Sequence, residues 1–291
     1  MNKNNQLVKK FKKAAKKVAE LYAELPQVVS VVIGGSLARQ YTDMLSDIEM
    51  YVYYEHYLPS KKEIKDILSR LGAKLTRSKK LHWYHPAWGY HTFFAFNGIK
   101  FEIGYRDIHE TFIRMKKFKS SLILPKHGLH DTPFGHYESG VASCITECLV
   151  LIDKKGQIKQ LKEYLADYSK SNIRDETFKY YIKDAKTILS IKAKYSALRN
   201  DDYNFNACVA RAIRSLVISL FALNSTYYPG DKWNKKYLDK FKLMPKNYNK
   251  RMEEIFLLSE LRKSDKIAKY KKLLILVKET EKLYKKLRNE S

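Results

Sequence analysis

The chain has few cysteines, fewer acidic than basic residues and no long apolar run. Its three cysteines, Cys144, Cys148 and Cys208, are too few for a disulfide framework, and their odd number agrees with a reducing compartment. No stretch approaches the roughly 20 apolar residues that cross a bilayer, and the Lys- and Asn-rich N-terminus lacks the apolar segment of a signal peptide. We therefore expect a cytoplasmic protein with no membrane partner.

The shortage of acidic residues leaves a large positive charge. Lys and Arg number 56 against 31 Asp and Glu, which gives a net charge of +25. Such a surface attracts polyanions, including nucleic acid and nucleotide phosphates. However, lysines occur in nearly every predicted helix, so solvation of the surface explains much of the excess. The charge permits a nucleic-acid partner but does not favour one.

The first part of the chain alternates helical and strand patterns. The spacing of apolar residues predicts helices, and β-branched runs bounded by Gly or by Asn97-Gly98 predict strands and a hairpin. The expected elements are a helix at 5 to 25, a strand at 28 to 33, a helix beginning at Ser36, a strand at 47 to 54, a helix from Ser60 through Leu71, and hairpin strands at 90 to 96 and 99 to 105.

The second part has a helical pattern almost to its end. A helix is expected from about Asp107 to Lys119. A loop is expected at 125 to 140, and it contains His127, His130 and His136. The helices predicted after it cover 142 to 152, 157 to 168, 174 to 198, 204 to 224, 232 to 241, 247 to 259 and 264 to 288. The fold class is therefore α+β: a small mixed-sheet domain at 1 to 124, followed by an all-α helical-bundle domain at 125 to 291.

Two carboxylates two residues apart suggest a metal site. Asp47 and Glu49 point to one face of their predicted strand, while Ile48, Met50 and Val52 point to the other. Like charges held together are tolerated when a divalent cation lies between them, and all-oxygen ligands favour Mg²⁺. The alternative is a strand whose acidic residues face solvent.

A glycine turn stands just before this strand. Gly34-Gly35-Ser36 ends one strand and begins a helix, which would present backbone N–H groups and a hydroxyl to a phosphate at the positive end of a helix dipole. Arg39, one turn later, could add a charged fork to the same phosphates.

Gly35-Ser36, followed after a ten-residue gap by Asp47-Ile48-Glu49, resembles the signature of the DNA polymerase β-type nucleotidyltransferase superfamily. The resemblance implies a third carboxylate on a later strand, which binds metal or deprotonates the attacking hydroxyl. Glu102 is the candidate and Glu110 its rival as base. Both have a simpler interpretation: Glu102 as an exposed strand residue paired with Lys100, and Glu110 as a surface helix residue.

Within that superfamily the chain resembles the lincosamide and aminoglycoside nucleotidyltransferases, which have a helical C-terminal domain. The segment from Ser46 to Tyr51 carries this likeness, and residues 151 to 157 resemble a turn between helical segments of that family. Residues 223 to 233 also resemble a group of bacterial nucleotidyltransferase-like proteins. By this resemblance Ser46 joins Gly34, Gly35, Ser36 and Arg39 as a nucleotide-binding residue.

The resemblance implies Mg²⁺-dependent transfer of AMP, or another nucleoside monophosphate, from a triphosphate to a hydroxyl of a small molecule, with release of pyrophosphate. ATP is the expected donor, and an antibiotic is one candidate acceptor. Asp47, Glu49 and Glu102 would ligate the metal, and a homodimer is compatible with the sequence. The alternatives are transfer to RNA or protein, and a non-catalytic nucleotide-binding or toxin-neutralising module.

Two other groups of residues could suggest chemistry. His82, His85 and His91 could suggest a zinc site, but no cysteine is near, and the aromatic residues between them fit a packed or substrate-lining surface better. Cys144 and Cys148 are four residues apart on a helical face, which indicates core packing.

Overall fold

The structure is a computed structural model that describes residues 3 to 77, 80 to 85, 88 to 124, 135 to 232, 234 to 259 and 261 to 290. His127, His130 and most of their predicted loop lie outside the described residues, as does Trp233. Cα packing divides the chain into two units. The first comprises Met1–Phe118 and Ile123–Asp167, and the second comprises Lys119–Leu122 and Tyr168–Ser291.

Among its described residues, the first unit contains seven strands and most of six helices. In chain order these are α1 (Lys3–Ala23), β1 (Val28–Ile33), α2 (Gly35–Ala38), β2 (Ile48–Tyr54), α3 (Lys61–Leu71), β3 (Lys74–Leu75), β4 (Trp83–His85), β5 (Gly89–Phe96), β6 (Ile99–Asp107), α4 (Ile108–Ser120), α5 (Glu138–Glu147), β7 (Leu149–Asp153) and α6 (Gln157–Leu165).

The strands form one mixed sheet in the order β3-β5-β6-β2-β1-β7, with β4 paired to β5. Strands β2 and β6 run parallel, and the other pairs are antiparallel. A mixed sheet in the first part and helices in the second confirm the α+β prediction.

Helix α1 covers one face of the sheet. Its apolar positions recur at helical spacing, and Ala15, Val18 and Tyr22 are fully buried. They join a core that includes Ile48 and Met50 of β2. Because alternate residues of a strand point to opposite faces, this packing turns Glu49 away from the core.

Short sequence signals set the ends of α3 and of the β5-β6 hairpin. Ser60 caps α3 and forms a capping box with Glu63, and Gly72 ends the helix at a φ of +64°. Asn97 and Gly98 both have positive φ, as a two-residue hairpin turn requires. Both predictions are confirmed.

The helix predicted at 142 to 152 is wrong in its second half. Helix α5 ends at Glu147, and Leu149–Asp153 is strand β7, which pairs antiparallel with β1. The apolar run at 149 to 152 fits a strand or a buried helix equally well by its local pattern, and the free edge of β1 decides between them. Ser30 Oγ also donates to Asp153 Oδ1 at 2.7 Å.

Strand β7 also explains why the units divide later than the predicted boundary at residue 125. A chain that returns to pair with β1 keeps α5, β7 and α6 within the first unit. Residues 151 to 157, expected between helical segments, instead join β7 to α6.

The regular elements described in the second unit are all helical. They are a 3₁₀ turn (Tyr168–Lys170), α7 (Asn172–Thr187), a π-helix (Ile188–Ala193), α8 (Lys194–Arg199), α9 (Asp202–Leu223), α10 (Asn234–Leu238), α11 (Tyr248–Leu257) and α12 (Lys263–Asn289). Among the described helices, α9 alone is long and apolar enough to cross a membrane, but 67% of its apolar window is buried. It packs against α7 and α12, as a core helix does.

Candidate active site

Two of the predicted carboxylates lie side by side on neighbouring strands. Glu49 of β2 is the register partner of Glu102 of β6, so the two residues are about 4.8 Å apart across the parallel pair. Asp47 comes two residues before Glu49, at the entry to β2. All three residues are partly exposed, whereas Ile48 and Met50 are fully buried. The sheet therefore brings Glu102 to the acidic pair.

The glycine turn lies directly on these carboxylates. A β-carbon built on Gly35 would be 1.8 Å from Glu49 Oε2, and Gly35 has a φ of +56°, which favours glycine. A β-carbon on Gly34 would be 2.5 Å from Tyr51 Cε2. Gly34 N also donates to the Glu49 carbonyl at 2.8 Å. The turn is thus fitted to Glu49 and Tyr51, which share one face of β2.

Helix α2 is shorter than the sequence suggested. It contains four residues, Gly35–Ala38, so its dipole is that of a single turn. What the turn can offer an anion is backbone N–H groups at its start. It also offers the Ser36 hydroxyl, which makes no hydrogen bond to a described residue.

The Arg39 guanidinium is directed to α5. Its Nε donates to Glu147 Oε2 at 2.6 Å, and its Nη2 lies 3.4 Å from Ser143 Oγ. Both charged side chains are mostly buried, with 15% of Arg39 and 29% of Glu147 exposed. This pair connects the end of α2 to α5, and it occupies the group that was expected to bind phosphate.

Ser46 is held within its own loop. Its hydroxyl donates to Asp43 Oδ1 at 2.9 Å and accepts from Asp43 N at 3.0 Å. These bonds close the turn that leads into Asp47 and β2. In the structure, Ser46 shapes the entry to the carboxylate strand.

Glu102 has a partner that sequence reasoning missed. His91 Nδ1 lies 3.0 Å from Glu102 Oε1, and His91 is only 4% exposed. His91 Nε2 lies 3.1 Å from the Trp88 carbonyl, and since a carbonyl only accepts, Nε2 carries a hydrogen. His91 Nδ1 therefore faces the Glu102 carboxylate. The β5-β6 register pairs His91 with Gly104, two residues from Glu102 on the same strand. The available signal was the Asn97-Gly98 turn, from which this register can be counted.

A second unpredicted residue is Tyr51, whose ring lies beneath the site. Gly34 and Gly104 both leave room for this ring, and the Arg106 guanidinium lies 5.1 Å from its centre. Burial, then the nearby Cys144 thiol and Glu49 carboxylate, raises the pKa of Tyr51 well above its usual range. Tyr51 is therefore uncharged, and its ring packs beneath the carboxylates.

Glu110 does not join the other carboxylates. It is exposed in the first turn of α4, where Asp107 Oδ1 accepts from its backbone N at 3.0 Å. Glu102 and Asp107 are five residues apart on β6, which corresponds to about 17 Å of strand. Glu110 therefore lies beyond the opposite end of the β2-β6 pair.

The donor set suits Mg²⁺ better than zinc. In the described part of the chain, no group of three or more His, Cys, Asp or Glu side chains is placed to hold a metal ion. This holds for His82, His85 and His91, and also for Asp47, Glu49 and Glu102, the three carboxylates expected to ligate the metal. Mg²⁺ commonly uses one or two carboxylates and completes its shell with water and phosphate oxygens. Asp47 and Glu49, two residues apart and partly exposed, fit that pattern.

Comparisons with known proteins leave the function open. Residues 136 to 234 match the family described as a domain of unknown function, DUF4037. No curated protein matches the sequence. Among solved structures, the chain is similar to a nucleotidyltransferase-like protein from Exiguobacterium sibiricum 255-15, with 11% identity, a TM-score of 0.40, and coverage of 94% of this chain and 74% of that one. At that identity and TM-score the likeness carries no conclusion about this chain.

Proposed function

We propose that the chain is a Mg²⁺-dependent nucleotidyltransferase. It would move a nucleoside monophosphate, AMP in our expectation, from the triphosphate to a hydroxyl of a small molecule. One observation carries the proposal: Glu49 lies in register with Glu102 and against Gly35 of the Gly34-Gly35-Ser36 turn. The carboxylates that would hold a metal are therefore next to the backbone groups that would bind phosphate in this proposal.

Each group of the site has a role in this proposal. Asp47 and Glu49 would hold Mg²⁺, which when bound supplies positive charge against the phosphates. The first N–H groups of α2 and the Ser36 hydroxyl would bind phosphate oxygens and orient the triphosphate. Glu102 would accept the proton of the acceptor hydroxyl, whose oxygen then attacks the α-phosphorus. The bond from the α-phosphorus to the bridging oxygen breaks, and pyrophosphate leaves.

Arg39 and Ser46 act indirectly in the proposal. Arg39 would hold the glycine turn against α5 through Glu147, and Ser46 would hold the entry to β2 through Asp43. Neither group needs to contact the nucleotide. An antibiotic as acceptor is part of the proposal that rests on the family resemblance alone.

The test measures nucleotide binding and pyrophosphate release separately. Wild type, Asp47→Asn and Glu49→Gln are incubated with labelled ATP, Mg²⁺ and a panel of aminoglycosides, lincosamides and RNAs, and calorimetry follows MgATP binding. We expect both variants to lose pyrophosphate release and to bind MgATP more weakly. Glu110→Gln is the matched control, since it removes one carboxylate at the other end of the strands. Pyrophosphate release by both site variants at the wild-type rate would refute the assignment, and MgATP binding without transfer to any acceptor would favour a non-catalytic module.

A further inference from the structure

The outer face of α1 carries an unusual concentration of positive charge. Six lysines project from it, and the first acidic residue of the chain is Glu20. All six are exposed: Lys9, Lys10, Lys12, Lys13, Lys16 and Lys17. At helical spacing they cover one side of the helix, opposite the residues buried against the sheet. We call this set the α1 lysine face.

The charge on the α1 lysine face is almost uncompensated. Among the described residues, its one ion pair joins Lys16 to Glu20 at 3.9 Å, and Lys17 lies over the Phe96 ring. Several of the lysines are three or four positions apart, a spacing at which like charges destabilise a helix. Apart from the contact of Lys17 with Phe96, the core contacts of α1 come from its opposite side.

The exposed lysines of helix α12 differ from those of α1 in that several of them form ion pairs. Helix α12 also has many exposed lysines, but acidic residues neutralise several of them. Lys272 pairs with Glu254 at 3.7 Å, and Lys285 pairs with Glu281 at 3.8 Å. The high lysine content of the chain therefore does not by itself produce a bare cationic surface.

The spacing of these charges matches a nucleic-acid duplex. Residues 9 to 17 span about 12 Å of helix axis, so six lysines give about one positive charge per 2 Å. A duplex carries one negative charge per roughly 1.7 Å. An anionic membrane fits less well, because a helix that binds a bilayer surface inserts an apolar side, and that side of α1 is already buried in the sheet.

The packing of α1 also restricts how it could contact a duplex. One side of α1 lies along the sheet, so only the lysine side is free to contact a duplex, and lysine ammonium groups bind phosphates as point charges. Contact is then limited to the backbone, which is how double-helical RNA is generally recognised. We infer that the α1 lysine face binds the phosphate backbone of double-helical RNA, without reading its sequence. This inference does not depend on the proposed catalytic function.

The test compares two variants that lose the same charge. One replaces the six lysines of the α1 lysine face with Gln, and the control replaces Lys271, Lys272, Lys278, Lys282, Lys285 and Lys286 of α12 with Gln. Glutamine keeps helix propensity close to that of lysine, and thermal unfolding checks that both variants fold. Fluorescence anisotropy with an RNA duplex of about 20 base pairs, at salt from about 50 to 200 mM, gives affinity and salt dependence.

We expect the α1 variant to bind at least about tenfold more weakly, with a log–log salt slope reduced by roughly three to five. The α12 variant should bind nearly as wild type does. Equal losses in the two variants, or no RNA binding by the wild type, would overturn the inference. Tighter binding to a DNA duplex of the same length, or to phosphatidylserine vesicles in the absence of RNA binding, would overturn the choice of partner.

Discussion

The carboxylate of Glu49 lies directly against the backbone of Gly35: a β-carbon on Gly35 would stand 1.8 Å from Glu49 Oε2 and 2.5 Å from Glu49 Cδ. This contact explains why a glycine, and not another turn residue, precedes Ser36. It also fixes where the Glu49 side chain can point, since the turn closes one side of it. The geometry of the carboxylate and the sequence of the turn are therefore one structural feature.

Replacing Gly35 with Ala should separate backbone strain from the placement of Glu49. Gly35→Ala and Gly72→Ala both put a side chain at a φ near +60°, which costs about 1 to 2 kcal/mol. Gly72 has open space where its β-carbon would stand, so it is the matched control. We expect similar losses of unfolding free energy in urea, but a loss of MgATP binding only in Gly35→Ala. Normal binding by Gly35→Ala would show that the Glu49 position does not matter.

Glu102 and Glu110 should differ sharply in a rate measurement. If the proposed function is right, Glu102→Gln should lower kcat for pyrophosphate release by about 10² to 10⁴, as expected for loss of a general base. Glu110→Gln should leave it nearly unchanged, because Glu110 lies at the other end of the β2-β6 pair. The reverse ranking would assign the base to α4 and remove Glu102 from the mechanism.

His91 should act on the reaction through Glu102 alone. His91→Gln removes the ring that lies 3.0 Å from Glu102 Oε1 while keeping a polar side chain. We expect kcat to fall with little change in the KM for ATP, because the glycine turn proposed to bind phosphate is untouched. In the Glu102→Gln background the same substitution should have almost no further effect on kcat. Additive losses in the double variant would mean that His91 acts independently of Glu102.

The sequence predicted the features that depend on neighbouring residues. A few consecutive side chains predict the Ser60 cap, the Asn97-Gly98 hairpin and the burial of Ile48, Met50 and Val52 on one face of β2. The structure contains all three features. The same reasoning placed Asp47 and Glu49 on one face of the chain. Such signals involve residues only a few positions apart in the sequence, so they can be interpreted without knowing the tertiary fold.

Features that depend on distant residues could not be predicted in this way. Arg39 meets Glu147, which is 108 positions away, and β7 becomes a strand because β1 has a free edge. His91 reaches Glu102 because the β5-β6 register sets Gly104 opposite it. In each case the outcome depends on which elements the fold brings together, and a local pattern does not contain that information.

Stability should fall at alkaline pH because buried thiol and phenol groups resist ionisation. Burial raises the pKa of Cys148 from 9.0 to about 11 and that of Tyr181 from 10.0 to about 12. The folded state therefore holds these protons more tightly than the unfolded state, so the stabilisation is complete below pH 9 and is lost as pH rises toward 11 to 12. Urea unfolding at pH 8 to 11 should show this decline, and Cys148→Ser should make it shallower. An unchanged slope in Cys148→Ser would mean that its thiol does not contribute.

Arg39 and Glu147 permit a test between a structural and a ligand-binding arginine. Arg39→Met removes the donor of the 2.6 Å bond, and Glu147→Gln removes the charge of its acceptor. A double-mutant cycle on unfolding free energy should give a coupling of about 1 to 3 kcal/mol. If Arg39 acts by holding the glycine turn to α5, both single variants should raise the KM for ATP to a similar extent. The double variant should then be no worse than either one. An increase in KM confined to Arg39→Met would instead mean that the guanidinium leaves Glu147 to bind the triphosphate directly, which would restore the role that the sequence suggested for it.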